Sequence, residues 1–110
     1  MNNLRKNEMS KWADYLISAV RYAQGSGNRI ISYLKVHTDT GNSLGESRTW
    51  TKAELLDALI QGKTFTTVHK DGNGNWIRGE EVALSSFKEI FIRSDFRSIP
   101  GDYLDNISEF

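Results

Sequence analysis

Between Arg29 and Thr38 the chain alternates with period two: Ile30, Ser32, Leu34 and Val36 fall on one side of an extended run, Ile31, Tyr33, Lys35 and His37 on the other. The run before it, from Trp12 or Ala13 to Ala23, is rich in Tyr, Ile and Val, and Gln24-Gly25-Ser26-Gly27-Asn28 supplies turn residues between the two. A first hairpin is predicted, with one mainly apolar face and one mixed face. Asp39 to Ser47 contains Gly41, Asn42 and Gly45 and reads as an exposed loop.

The period then changes. Thr51-Lys52-Ala53-Glu54 has the form in which a Thr hydroxyl and a Glu carboxylate satisfy each other's orphan N–H groups at a helix start. Leu55, Leu56, Leu59 and Ile60 follow at helical spacing, and Gly62 stands where a left-handed terminator belongs. A second hairpin is predicted from Thr64–His69 and Trp76–Gly79, because Asp71-Gly72 and Asn73-Gly74 between them accept positive φ cheaply. Glu81–Ser85 and Glu89–Arg93 suggest two short strands around Ser86-Phe87-Lys88. Ile99-Pro100-Gly101-Asp102 reads as a turn before the apolar Tyr103, Leu104, Ile107 and Phe110.

These elements predict an α+β fold: a small twisted antiparallel sheet or half-open barrel of about five strands with one helix, in the order β-β-α-β-β-β. Residues 1–12 are polar and weakly patterned and read as a flexible N-terminal arm, leaving residues 13–110 as a single domain.

Composition narrows this picture. A chain of 110 residues with 38% hydrophobic positions, three Trp, four Tyr and five Phe suits one core. The absence of Cys removes disulfides, thiolate nucleophiles and sulfur-rich zinc sites together, and fits a reducing cytoplasm. No stretch approaches the roughly 20 apolar residues that span a bilayer, and Met1 to Trp12 lacks the apolar segment of a secretory signal. The expectation is a cytoplasmic protein with no membrane partner. Fourteen basic residues balance fourteen acidic ones, so no global field draws the chain to nucleic acid. The distribution is nonetheless uneven: residues 1–37 carry six cations against Glu8 and Asp14, whereas residues 94–110 carry four acids against Arg97.

Several segments together resemble a known family. Ala13-Asp14-Tyr15-Leu16-Ile17-Ser18-Ala19-Val20-Arg21-Tyr22, Lys35-Val36-His37, Gly62-Lys63-Thr64-Phe65-Thr66-Thr67, Trp76-Ile77-Arg78-Gly79, Ile92-Arg93-Ser94-Asp95 and Asp105-Asn106-Ile107-Ser108-Glu109-Phe110 are similar to a family of small bacterial proteins known only as a domain of unknown function. The resemblance covers residues 13–110, with Ser94 where the family pattern has Thr and no Leu-Pro before the closing Glu-Phe. It implies a compact single domain of bacterial or phage origin and carries no activity across.

Catalytic chemistry finds few supplies. His37 and His69 are the only imidazoles; both lie on extended runs at positions open to solvent, and a metal site needs three or more ligands. Asp14 or Asp95 could join them only if the fold brings the runs together. Ser18, Ser32 and Ser94 lack a nucleophile-elbow context, and no Gly-rich phosphate loop occurs. The Asp71–Asn75 loop alternates oxygen ligands as a calcium loop does, yet Trp76 stands where the loop requires Gly and Val82 where it requires a bidentate acid. No catalytic residue, metal or cofactor is therefore assigned.

Binding remains. Arg21, Tyr22, Arg29, Tyr33, Lys35 and His37 interleave cations and aromatics on the first hairpin, as a surface for RNA or single-stranded DNA would. Trp50, Trp76 and Phe87 stand at or beside turns, where aromatics can anchor a protein interface. The reading preferred is a non-catalytic binding or regulatory module for a protein partner, such as a phage-borne or mobile-element inhibitor. Nucleic-acid binding through the first hairpin comes second, and a small hydrolase or metal-dependent enzyme third.

Overall fold

The computed structural model describes residues 11–23, 29–41, 43–86, 90–94, 102–104 and 107–110. Strands β1 (Tyr15–Tyr22), β2 (Ile31–Asp39) and β3 (Leu44–Thr51) precede helix α1 (Lys52–Ile60). After it come β4 (Phe65–Lys70), β5 (Trp76–Glu81), β6 (Ala83–Ser86), β7 (Ile90–Arg93) and β8 (Ser108–Glu109). The main sheet runs β3-β2-β1-β4-β5 with β8 also beside β1, while β6 and β7 pair separately. The fold is α+β, with one helix among the described residues and an open sheet that does not close into a barrel.

The helix begins where the local code places it. Glu54 N–H donates to the Thr51 hydroxyl, and Thr51 N–H donates to the Glu54 carboxylate at 2.9 Å. Gly62 ends the turn at φ +92°, a conformation that a Cβ would strain. Leu55 is wholly buried and Leu56 and Leu59 pack beside it, whereas Ile60 is 66% exposed and takes no part in the core.

Three expectations change. Asp39 to Ser47 is not all loop: Thr40 N–H donates to Ser43 O, and Leu44 already opens β3. Gly45 weakens a strand pattern but is tolerated on an edge strand, so the order before the helix is β-β-β. Second, the sheet is mixed. β3 runs antiparallel to β2 and β2 to β1, and α1 then carries the chain across so that β4 lies parallel to β1 at Tyr15–Ile17. Third, Trp12 is not part of a loose arm; it is 9% exposed, and its N–H donates to Asp39 Oδ2 at 2.6 Å.

Apolar residues cover both faces of the sheet. On the helix side Ile17, Val20, Leu34, Val36, Leu55 and Phe65 form the main core, joined by Ile92 and Leu104. The register slips at Arg21/Tyr22, which brings Ile31, and not Ile30, into that core. On the other face Trp12, Leu16, Leu44, Val68 and Trp76 form a smaller cluster at one end. The enclosed Asp102 carboxylate accepts the amides of Ile31 at 2.7 Å and Ile92 at 2.9 Å, tying β2 to β7.

A candidate binding cleft beside the edge strand

On β3, Glu46, Arg48 and Trp50 alternate and so share one face of the sheet. Their cross-strand neighbours on β2 are Val36, opposite Arg48, and Leu34, opposite Trp50; Thr38 lies opposite Tyr15 of β1. Tyr15, Val36, His37, Thr38, Glu46, Arg48 and Trp50 line a cleft of about 380 Å³. Its aromatic rings are packed. Trp50 meets Tyr15 edge-on with centroids 5.0 Å apart and Phe65 at 5.6 Å, while Tyr15 and Phe65 stack at 5.1 Å. Glu46 and Arg48 are exposed at the mouth and bring opposite charges.

Among the described residues no strand pairs with the outer edge of β3. Its outward amides and carbonyls therefore stand next to an aromatic-walled recess, the arrangement that accepts an extended chain by strand addition. Of the sequence candidates Trp50 and His37 line this cleft. Glu46 falls in the Asp39–Ser47 stretch that reads as loop, and its period-two spacing with Arg48 and Trp50 is the signal that finds it; Tyr15 and Arg48 meet only through the β1-β2-β3 register.

The other candidates scatter. Trp76 is 8% exposed and sits in the smaller core, with the Lys70 ammonium over its ring and His37 at 5.8 Å. Phe87 and Asp95 lie outside the described residues. Of the hairpin set, Arg21, Tyr33 and Lys35 share the face opposite the main core. Tyr22 turns to the core side, where its hydroxyl accepts Leu104 N–H and Arg29 stacks on its ring at 4.6 Å. His37 lies on the Lys35 side of β2 but is 5% exposed, not open to solvent, with its ring against Trp76.

His37 is held at both nitrogens. Its Nδ1–H donates to Gly45 O at 2.8 Å, which leaves Nε2 to accept the Ser18 hydroxyl at 2.7 Å. Burial holds its pKa below the ordinary 6.5, and the Gly45 carbonyl offsets part of that. A serine on a neutral imidazole has the bond pattern of an activated nucleophile. His37 lines the cleft, whereas Ser18 does not. Asp14 instead pairs with Thr64, whose N–H and hydroxyl hold its carboxyl below the usual carboxylate value. In the Asp71 loop the carboxylate Oδ1 accepts Asn73 and Asn75 amides at 2.8 and 3.0 Å, so it builds the turn itself. Among the described residues no three His, Asp or Glu gather as metal ligands do, and no helix is long and apolar enough to cross a membrane.

No protein-family model, curated protein or solved structure matches the chain.

Proposed function

We propose that this domain is a binding module that recognises a protein partner as an extended segment laid along β3, with one side chain of that segment seated between Tyr15 and Trp50. The edge of β3, unpaired among the described residues, beside a recess of packed aromatic rings supports this reading. Backbone pairing along β3 supplies affinity that is indifferent to sequence, and the recess together with Glu46 and Arg48 supplies selection. A regulatory protein of bacterial or phage origin, acting in a reducing cytoplasm, is the setting that the cysteine-free composition and the family resemblance suggest. The hydrolase reading has in its favour the Ser18–His37 pair, with His37 in the cleft lining, but Ser18 itself is outside that lining.

Selection from a displayed library of random peptides tests the proposal. Enriched peptides, resynthesised, are expected to bind the wild type and to lose at least ten-fold in affinity against the double charge reversal Glu46→Lys with Arg48→Glu. Both residues are exposed, so the fold is spared. Failure to enrich any peptide, or affinity unchanged by the reversal, would overturn the reading.

A further inference from the structure

The register of β8 against β1 places Ser108 beside Ala19 and Glu109 beside Val20, and Phe110 N–H continues the ladder by donating to Val20 O at 3.0 Å. Phe110 therefore falls next to Arg21, on the face opposite the main core. Its ring is not covered by other apolar side chains of either cluster. It rests between two cations instead: the Arg21 guanidinium lies 4.8 Å and the Lys35 ammonium 5.0 Å from its centroid. Arg21 Nε also donates to Phe110 O at 2.7 Å. Tyr33, cross-strand from Arg21 and 43% exposed, extends the same surface.

One residue thus presents a flat ring to two cations and an oxygen to a guanidinium N–H. A nucleotide of a single strand presents the same pair of groups, a base to stack and a phosphate oxygen to bond. The exposed Glu109 beside Val20 adds an acidic group next to the cations of this hairpin. We propose that Arg21, Lys35 and Tyr33 form a binding site for a single-stranded oligonucleotide, that Phe110 occupies it in place of a nucleotide, and that binding requires Phe110 to leave. The site lies on the opposite face from the cleft beside β3 and stands whether or not that cleft takes a peptide.

The test compares the wild type with Phe110→Ala in fluorescence-anisotropy titrations of labelled dT12 and rU12 at low salt. Phe110→Ala keeps the backbone ladder to Val20 and removes only the ring. It is expected to bind at least one of the two probes at least ten-fold more tightly than the wild type, and the probe preferred assigns DNA or RNA. The gain should vanish when Arg21→Gln and Lys35→Gln are added, and should fall with salt at about 0.7 log units per log unit for each phosphate neutralised. Should Phe110→Ala unfold, amide spectra of the wild type decide: saturating oligonucleotide at low salt must move the Val20 and Phe110 signals. Unchanged affinity in folded Phe110→Ala, a gain that survives loss of both cations, or an unmoved Phe110 signal would overturn the proposal. So would tighter binding of an acidic peptide ending in Phe with no gain for either oligonucleotide.

Discussion

The Lys52 ammonium lies 2.9 Å from Asp102 Oδ2, and the Asp102 side chain has no exposed surface while that of Lys52 keeps 21% of its own. This ion pair fastens the first turn of the helix to the same carboxylate that receives the Ile31 and Ile92 amides. Asp102→Ala would leave two buried amides and one half-buried cation without that acceptor at once. A loss of about 3 to 5 kcal/mol is expected, as for other broken buried pairs, from the urea midpoint. A loss under about 1 kcal/mol would mean that the staple carries little.

The capping box makes a smaller claim. Thr51→Ala removes the acceptor of Glu54 N–H and is expected to destabilise by about 0.5 to 2 kcal/mol. Both partners are exposed, so Thr51→Ser should restore most of the loss, and chemical denaturation of the two variants checks it.

Gly79 answers to a different constraint. A Cβ there would collide with the Thr67 hydroxyl and lie 2.8 Å from the Thr67 carbonyl oxygen. The Thr67 hydroxyl also accepts Glu80 N–H at 2.9 Å, where the β4–β5 register slips between Thr66 and Val68. Gly79→Ala is expected to cost about 1 to 3 kcal/mol, while Gly72→Ala, with open space around it, should leave the thermal midpoint nearly unchanged. Equal midpoints for the two variants would contradict this account of the bulge.

His37 predicts a pH dependence. Its folded pKa lies below the unfolded value of 6.5, so in the interval between the two the unfolded chain binds the proton that the folded one refuses. Stability from the neutral ring is fully present above the unfolded value and is lost as pH falls through 6.5 toward the folded value. Urea midpoints measured from about pH 8 down to about pH 5 should decline in that window, and His37→Gln should flatten the decline whatever its own stability. An identical slope in the variant would assign the dependence elsewhere.

How much of this was legible follows from distance along the chain. The helix was, because Thr51, Glu54 and Gly62 act within a few residues of one another, and so was the hairpin around Asp71. The strand at Leu44–Thr51 was not, since Gly45 masks an alternation that burial on one edge strand is enough to sustain. Nothing local distinguishes a β4 antiparallel to its neighbour from one carried over the sheet by α1 to lie parallel to β1. The cleft suffered accordingly: Trp50 was visible as an aromatic near a turn, but Tyr15 and Arg48 become its neighbours only through the β1-β2-β3 register. His37 looked open because a half-polar face was expected beneath it. The turn at Asp39 and the enclosing Trp76 close that face over.

The edge of β1 that faces away from β2 is shared, β4 taking Tyr15–Ile17 and β8 taking Ala19–Val20. Of the described strands, the first to emerge during synthesis is therefore also the last to be completed, since its second half stays open until a segment some ninety positions later arrives. Closing so long a loop costs little more than closing one of half the length, about 0.6 kcal/mol, but the search for it is slow. Until then Ala19 and Val20 offer bare amides in the middle of a growing sheet, where a neighbouring chain's strand can pair as readily as the chain's own. Crowded synthesis makes this the point at which folding competes with association.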